Sequence, residues 1–412
     1  MDFADQHFED ASFSGRILYN ASFRNCTFDG TTKFQGVTFI GITEFADATF
    51  EGVVRFDDAT FLNTTYFKNA VFKNIAVFDR STFKYAAYFQ DAEFQPADDP
   101  ENGTEPGTGF SNAKFENEAR FDNSTFHSLV HFNDATFLAF AGFEATTFMG
   151  DASFERSTFS RQAGFSLAAF KKIATFNNAL FRASTSFNQT QFTQPPRFFE
   201  TQLHEDTDFE NVDWRMTESF YAPSWWQSVW EFVALLRTPS PPSGIDSAIR
   251  AWDRLALIMS RLEKFHERHT FHRLRMRAHR WKEGRGLLSL SNGLFDRSSD
   301  YGWSVPRALL VWLGHIILGA LVLFIDASYP FSCASCQWEH LAGGAVLTSF
   351  ANAHAFLGLA SEGGYLEGAR ATLNSCKPDG WIRNAVGTVQ AVLGPITLFL
   401  VLLTLRNRFR LG

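Results

Sequence analysis

From Phe23 to Phe94 the large apolar positions fall at 23, 28, 34, 39, 45, 50, 56, 61, 67, 72, 78, 83, 89 and 94, all of them phenylalanine. Steps of five and six alternate, so the pattern repeats about every eleven residues, and a fixed period is the signature of a repeat architecture. An eleven-residue period also suits a right-handed supercoiled helix. The residues between are Asp, Asn, Gly, Thr and Ser, which compete with a helix by bonding nearby backbone. Short strands and turns wound into a solenoid remain. Its predicted core ladder includes Phe45, Phe50, Phe56, Phe61, Phe67, Phe72, Phe78 and Phe83.

The position two before each Phe is small: Ala48, Ala59, Ala70, Ser81 and Ala92 before the second Phe of each pair, and Val54, Thr65, Ala76 and Ala87 before the first. In extended chain these positions share a face with the Phe, so a narrow tube can close around the rings. The units Ala48-Thr49-Phe50-Glu51-Gly52 and Ala59-Thr60-Phe61-Leu62-Asn63 resemble the pentapeptide-repeat family. That resemblance implies a mainly β fold, a right-handed quadrilateral β-helix. The extra residue in alternate units makes about 22 residues per coil, where plain pentads make about 20.

The ladder starts earlier, in plain pentads at Phe3, Phe8, Phe13, Leu18 and Phe23. Residues 95–109, rich in Pro, Gly and acids, insert about ten residues between Phe94 and Phe110 and read as a solvated loop. The spacing then resumes through Phe198 and continues at Leu203, Phe209 and Trp214. Residues 1–215 are therefore expected to form roughly ten coils, a rod of about 45 Å at strand spacing. A ligand-stacking role for the rings is set aside, because a repeat must bury its apolar face against its neighbours.

Residues 216–300 break the pattern. Trp225, Trp226, Trp230 and Phe232 lie in a short amphipathic segment, which suits either a solenoid cap or a membrane interface. Residues 245–283 read as two helices, with Ile249, Trp252, Leu255, Met259 and Leu262 on one face of the first. The second carries Arg268, Arg273, Arg275, Arg277, Arg280 and Lys282. His266, His269 and His272 in this basic helix lack the acid or Cys that would complete a metal site. A basic face against an anionic leaflet accounts for the pattern better, and the resemblance extends to the hairpin that joins repeats to membrane helices.

Residues 301–412 are expected to form a two-span membrane domain. Ala308–Ile325 and Ala385–Leu405 are apolar runs long enough to cross a bilayer. Arg297 and Arg307 precede the first run and Arg406, Arg408 and Arg410 follow the second, so the positive-inside rule places both termini in the cytoplasm of an inner-membrane protein. Gly343–Ala360 is moderately apolar and carries Asn352 and His354, which suits a re-entrant helix sheltered by protein. Cys333, Cys336 and Cys376 fall in the outer loop, where an oxidising compartment permits a disulfide from Cys376 to Cys333 or Cys336. The end of the chain, Leu393-Gly394-Pro395 through Arg410, resembles the last helix of bacterial pentapeptide-repeat proteins with an ion-channel-like C-terminal domain. The Thr-Val-Gly-Tyr-Gly filter of potassium channels is absent; Phe356 to Tyr365 stands in its place. Candidate pore or gate residues are Asn352, His354, Glu362, Gly394 and Pro395, with Glu362 as an outer ring or a plain solvated acid.

Charge is uneven. Residues 1–200 carry 25 acids against 16 bases, whereas 246–297 carry 12 bases against 6 acids. No nucleophile–base set, phosphate-cradling loop or metal cluster is visible, so the reading is non-enzymatic, without cofactor. The expected partners are the lipid bilayer, further copies of the chain and a cytoplasmic protein. Two functions compete: a channel-like oligomer with the rod as sensing or docking arm, and a non-conducting tethered scaffold. Some soluble proteins of the family mimic DNA and bind topoisomerases, but the charge of about −9 on residues 1–200 is sparse beside a duplex phosphate every 1.7 Å or so.

Overall fold

A computed structural model describes residues 1–95, 107–213, 245–283, 287–328, 338–355, 367, 369–371, 373 and 381–409. It divides into two compact units, residues 1–282 and 283–412.

The first unit is a four-sided parallel β-solenoid. Its strands, two or three residues each, stack into sheets of nine, eight, seven and seven strands, which is about eight regular turns. Isolated parallel bridges such as Asp2 with Ser22 and Gln191 with Asp213 carry the coil beyond them at both ends. Register follows the phenylalanines: Phe50 lies between Phe28 below and Phe72 above. The first coil is shorter, with Phe8 facing Phe28 and Leu18 facing Phe39, as its plain pentads require. Across the insertion Phe83 faces Phe115 and Phe94 faces Phe126, so the added residues leave the ladder intact.

Two kinds of corner explain the alternating steps. After Phe45 the chain makes a tight turn closed by the Ala48 N–H donating to the Phe45 carbonyl at 3.2 Å. Asp47 at its third position has φ of 60°, the positive value a type II turn demands. The same place recurs at Asp58, Asn69, Asp91, Asn112, Asn123 and Asp134, where Asn and Asp tolerate the left-handed region better than most residues. The next corner takes six residues and runs close to the coil beneath. A Cβ on Gly52 would overlap the Gly30 carbonyl there.

Leu167 departs from this chemistry. It occupies a tight corner with φ of 61° and is exposed. Leu167→Asn is therefore expected to stabilise the solenoid by about 1 kcal/mol. The urea midpoint should rise with no change in the slope of the transition.

Inside, the rings form columns. Phe45 stacks on Phe67 at 4.9 Å and 3°, and Phe61 on Phe83 at 4.6 Å and 2°. Adjacent columns meet edge to face, as in Phe45 against Phe56 at 5.3 Å and 82°, so each ring combines the favoured edge-to-face contact with its column neighbours. The small neighbours Ala48, Ala59, Ala70 and Ser81 are buried beside them. Where the small residue is serine, its hydroxyl is satisfied locally: Ser81 Oγ donates to the Phe78 carbonyl at 2.7 Å.

Outside, adjacent coils pair their charges. Hydrogen bonds from Arg80 hold the Asp58 carboxyl below the ordinary carboxylate range, and Arg156 does the same for Asp134. Glu116 accepts from Lys84 and Lys114, each at 2.7 Å. These pairs neutralise part of the acidic excess where it stands.

Two helices complete this unit, α1 (Ile245–Arg261) and α2 (Phe265–Glu283). Trp252, Leu255, Ile258 and Met259 of α1, with Phe271 and Leu274 of α2, join the same buried cluster as Phe209 and Val212 of the last coil. The hairpin thus covers the apolar end of the solenoid, the capping that a stacked repeat requires. The sequence offered that role to the Trp225–Phe232 segment, which lies outside the described residues. Burial, with Arg275 and Arg268 nearby, pushes the His272 imidazole below its ordinary range. Among the described residues no group of His, Cys, Asp and Glu is arranged to hold a metal ion.

The second unit is helical: α3 (Leu287–Ser299), α4 (Val305–Ser328), α5 (Trp338–Ala353) and α6 (Trp381–Phe409). By length and composition α4 and α6 could each cross a membrane, and only 28% and 22% of their apolar windows are buried. Leu310, Ile317, Leu318, Val392, Phe399 and Leu402 are exposed. The helix of a water-soluble core would hide such side chains.

Candidate functional site

The second unit gathers its polar side chains where three helices meet. Asn407 Nδ2 near the end of α6 donates to the Gly302 carbonyl just before α4, while Gln390 reaches His315 farther along. The two long helices are therefore antiparallel. Helix α5 begins at the level of Ala327 in the Leu323–Leu341–Leu373 cluster. It ends with His354 against Trp312, rings 5.6 Å apart. Its end thus lies beside the middle of its neighbours.

Gln390 is the centre of this meeting. Its amide nitrogen donates to Ser349 Oγ at 2.6 Å and to the His315 carbonyl at 3.3 Å. Ser349 Oγ in turn donates to the Ile316 carbonyl at 2.6 Å. Gly319 makes the approach possible, because a Cβ there would overlap the Gln390 amide. The chain of contacts ties α4, α5 and α6 together with side chains that are almost wholly buried.

The knot is incompletely satisfied. Trp312 Nε1, His315 Nε2, Thr348 Oγ1 and Gln390 Oε1 are buried without a hydrogen-bond partner among the described residues. A buried polar atom left unpaired costs about 1–3 kcal/mol. The four lie on three adjoining helices, and polar groups within apolar spans commonly mark functional positions.

Of the candidate pore residues, Asn352 and His354 are both buried at the end of α5. His354 Nδ1 lies 2.7 Å from the Phe350 carbonyl, and Asn352 faces Gly387 of α6. Gly394 abuts the end of α5 so closely that a Cβ would overlap the Ala353 carbonyl. Pro395 lies inside α6, which continues through it, with Thr397 Oγ1 donating to the Leu393 carbonyl at 2.9 Å. Glu362, Cys333, Cys336 and Cys376 lie outside the described residues. Sequence reasoning did not single out Gln390, Ser349, Thr348 or Trp312. The available signal was a polar residue inside each apolar run: His315 in the first and Gln390 in the second.

The family model for pentapeptide repeats (nine copies) matches residues 8–60 and 56–98. No curated protein matches the chain.

Proposed function

The amino-terminal unit of this chain is a pentapeptide-repeat β-solenoid, and from that premise we propose that the protein is a membrane-anchored, channel-like oligomer with the solenoid as its docking or sensing arm. Helices α4 and α6 cross the inner membrane, α5 is re-entrant, and both termini face the cytoplasm with the basic flanks Arg307 and Arg406. Residues 216–300 couple arm to membrane domain, with the hairpin closing the rod. The end of α5 beside Trp312 and Gly394 supports the re-entrant reading, because a third spanning helix would run on past them. The observation that carries the proposal is the set of unpaired buried polar atoms on α4, α5 and α6, Gln390 Oε1 among them. A purely mechanical anchor has no use for it, since interior polar groups left unsatisfied only destabilise.

The test is current from purified full-length protein in planar bilayers, with Gln390→Leu as the variant. The substitution removes two donated hydrogen bonds together with the unpaired oxygen, at a cost of about 1–3 kcal/mol, and a retained helical far-ultraviolet signal will show that the variant is folded. Its conductance should fall at least about tenfold. Since one two-span subunit cannot enclose a pore, cross-linking should recover oligomers. Silence of the wild type across ionic conditions, with a monomer in the membrane, would overturn the channel. The second reading, a non-conducting scaffold, draws on the repeats themselves, a fold that typically serves protein interaction; it predicts capture of a partner by the solenoid and no current.

A further inference from the structure

The first unit contains a groove that the capping role of the hairpin does not use. It lies between the last regular coil and the outer face of α1, with a volume of about 650 Å³, and Arg197, Phe199, Arg250, Arg254 and Leu257 line it. Arg250 and Arg254 are one helical turn apart on α1 and project from the same face. Arg197 approaches from the coil. The single carboxylate on this wall, Asp253, is already held by Arg275 of α2 at 2.9 Å, which leaves the groove with an excess of positive charge. Phe199 is unusual in being a ladder-flanking ring turned outward, 53% exposed. The Arg254 guanidinium sits over its face at 5.0 Å from the centroid. Leu257 beside it is also exposed.

We propose that this groove binds a small phosphorylated aromatic compound of the mononucleotide class. The three arginines match a dianionic phosphate, because a guanidinium fork donates two parallel hydrogen bonds to such an anion. The flat part of the ligand takes the place of the Arg254 guanidinium over Phe199 and reaches Leu257 beside it, which frees Arg254 for the phosphate. The volume suits a compound of that size. Neither feature alone selects this class. Arginines without the ring would hold any anion, and the ring without the arginines any apolar molecule. Binding here would bridge the last coil and the cap, so the ligand would stabilise the junction between them by mass action.

The experiment is titration calorimetry of the full chain in nanodiscs, with AMP as the probe and adenosine and inorganic phosphate as partial probes. AMP should bind saturably and more weakly as salt is raised, and each partial probe should bind at least about tenfold more weakly. Arg250→Gln and Arg197→Gln should each weaken AMP about tenfold, the loss expected for one charged hydrogen bond. Phe199→Ala should weaken AMP while leaving inorganic phosphate unchanged. Arg24→Gln, on an early coil of the solenoid, should alter nothing. These side chains are exposed, and an unchanged melting curve will show that each variant is folded. Absence of saturable AMP binding, or equal affinity in the Arg197 and Arg250 variants, would overturn the proposal. It stands apart from the channel reading, because its readout does not involve current.

Discussion

Phe121→Ala is expected to destabilise the solenoid by about 3–5 kcal/mol, the range for removing a fully buried aromatic side chain. Phe121 has no exposed surface. It stacks on Phe89 at 4.8 Å and Phe143 at 5.0 Å, and meets Phe110 and Phe132 edge to face at 5.4 and 5.3 Å. Removing the ring interrupts a column in mid-rod and leaves a cavity bounded by backbone on all four sides. The neighbouring coils cannot collapse into it, because every strand is fixed in register by parallel bonds above and below, as at Phe121 N–H to the Gly142 carbonyl, 2.7 Å. Phe121→Leu should cost much less, since it keeps a large apolar side chain in the column, as Leu18 does in the neighbouring column beside Phe39. Chemical unfolding of full-length protein, followed by the far-ultraviolet signal of the β-solenoid, gives both values. Because each repeat touches only its neighbours, the alanine variant should also split the transition into two. A single transition at the wild-type midpoint would show that the ladder is not the source of stability.

The solenoid is legible in the sequence because one residue type does one job at a fixed step. Position alone says which side of the strand Phe50 occupies, which corner follows and where the insertion after Phe94 must lie. The two apolar runs are legible for a similar reason: length and composition are local properties. What could not be read is the meeting of Gln390, Ser349 and His315. It depends on how far α5 slides along its neighbours, and no local pattern records that displacement. The cap was hidden in the same way. The face of α1 carrying Trp252 and Met259 is plain as a helical stripe, but the end of the phenylalanine ladder whose buried cluster it joins stands about 40 residues earlier in the chain. Gly394 and Pro395 stand out in the sequence as candidate pore or gate residues. The structure adds a contact for Gly394, and with it a sharper experiment.

Gly394→Ala should destabilise the helical unit by about 1–3 kcal/mol, the usual cost of forcing a group into a packed seam. The added methyl would overlap the carbonyl of Ala353, a backbone atom that cannot rotate away, so α5 and α6 must separate. Gly314→Ala is the control. That glycine also lies in a long helix, but nothing stands within 4 Å of where its Cβ would be. Alanine favours the helix over glycine by about 1 kcal/mol, so this substitution should be neutral or stabilising. Thermal unfolding in detergent therefore ought to move in opposite directions for the same chemical change. The effect should also reach the polar knot, since Ser349 on α5 and Gln390 on α6 lie one helical turn before the Ala353–Gly394 contact. Parting the helices there would lengthen the Ser349–Gln390 bond and alter any current, whereas Gly314→Ala would leave current unchanged. Equal shifts in melting for both variants would mean that the seam does not hold α5 against α6.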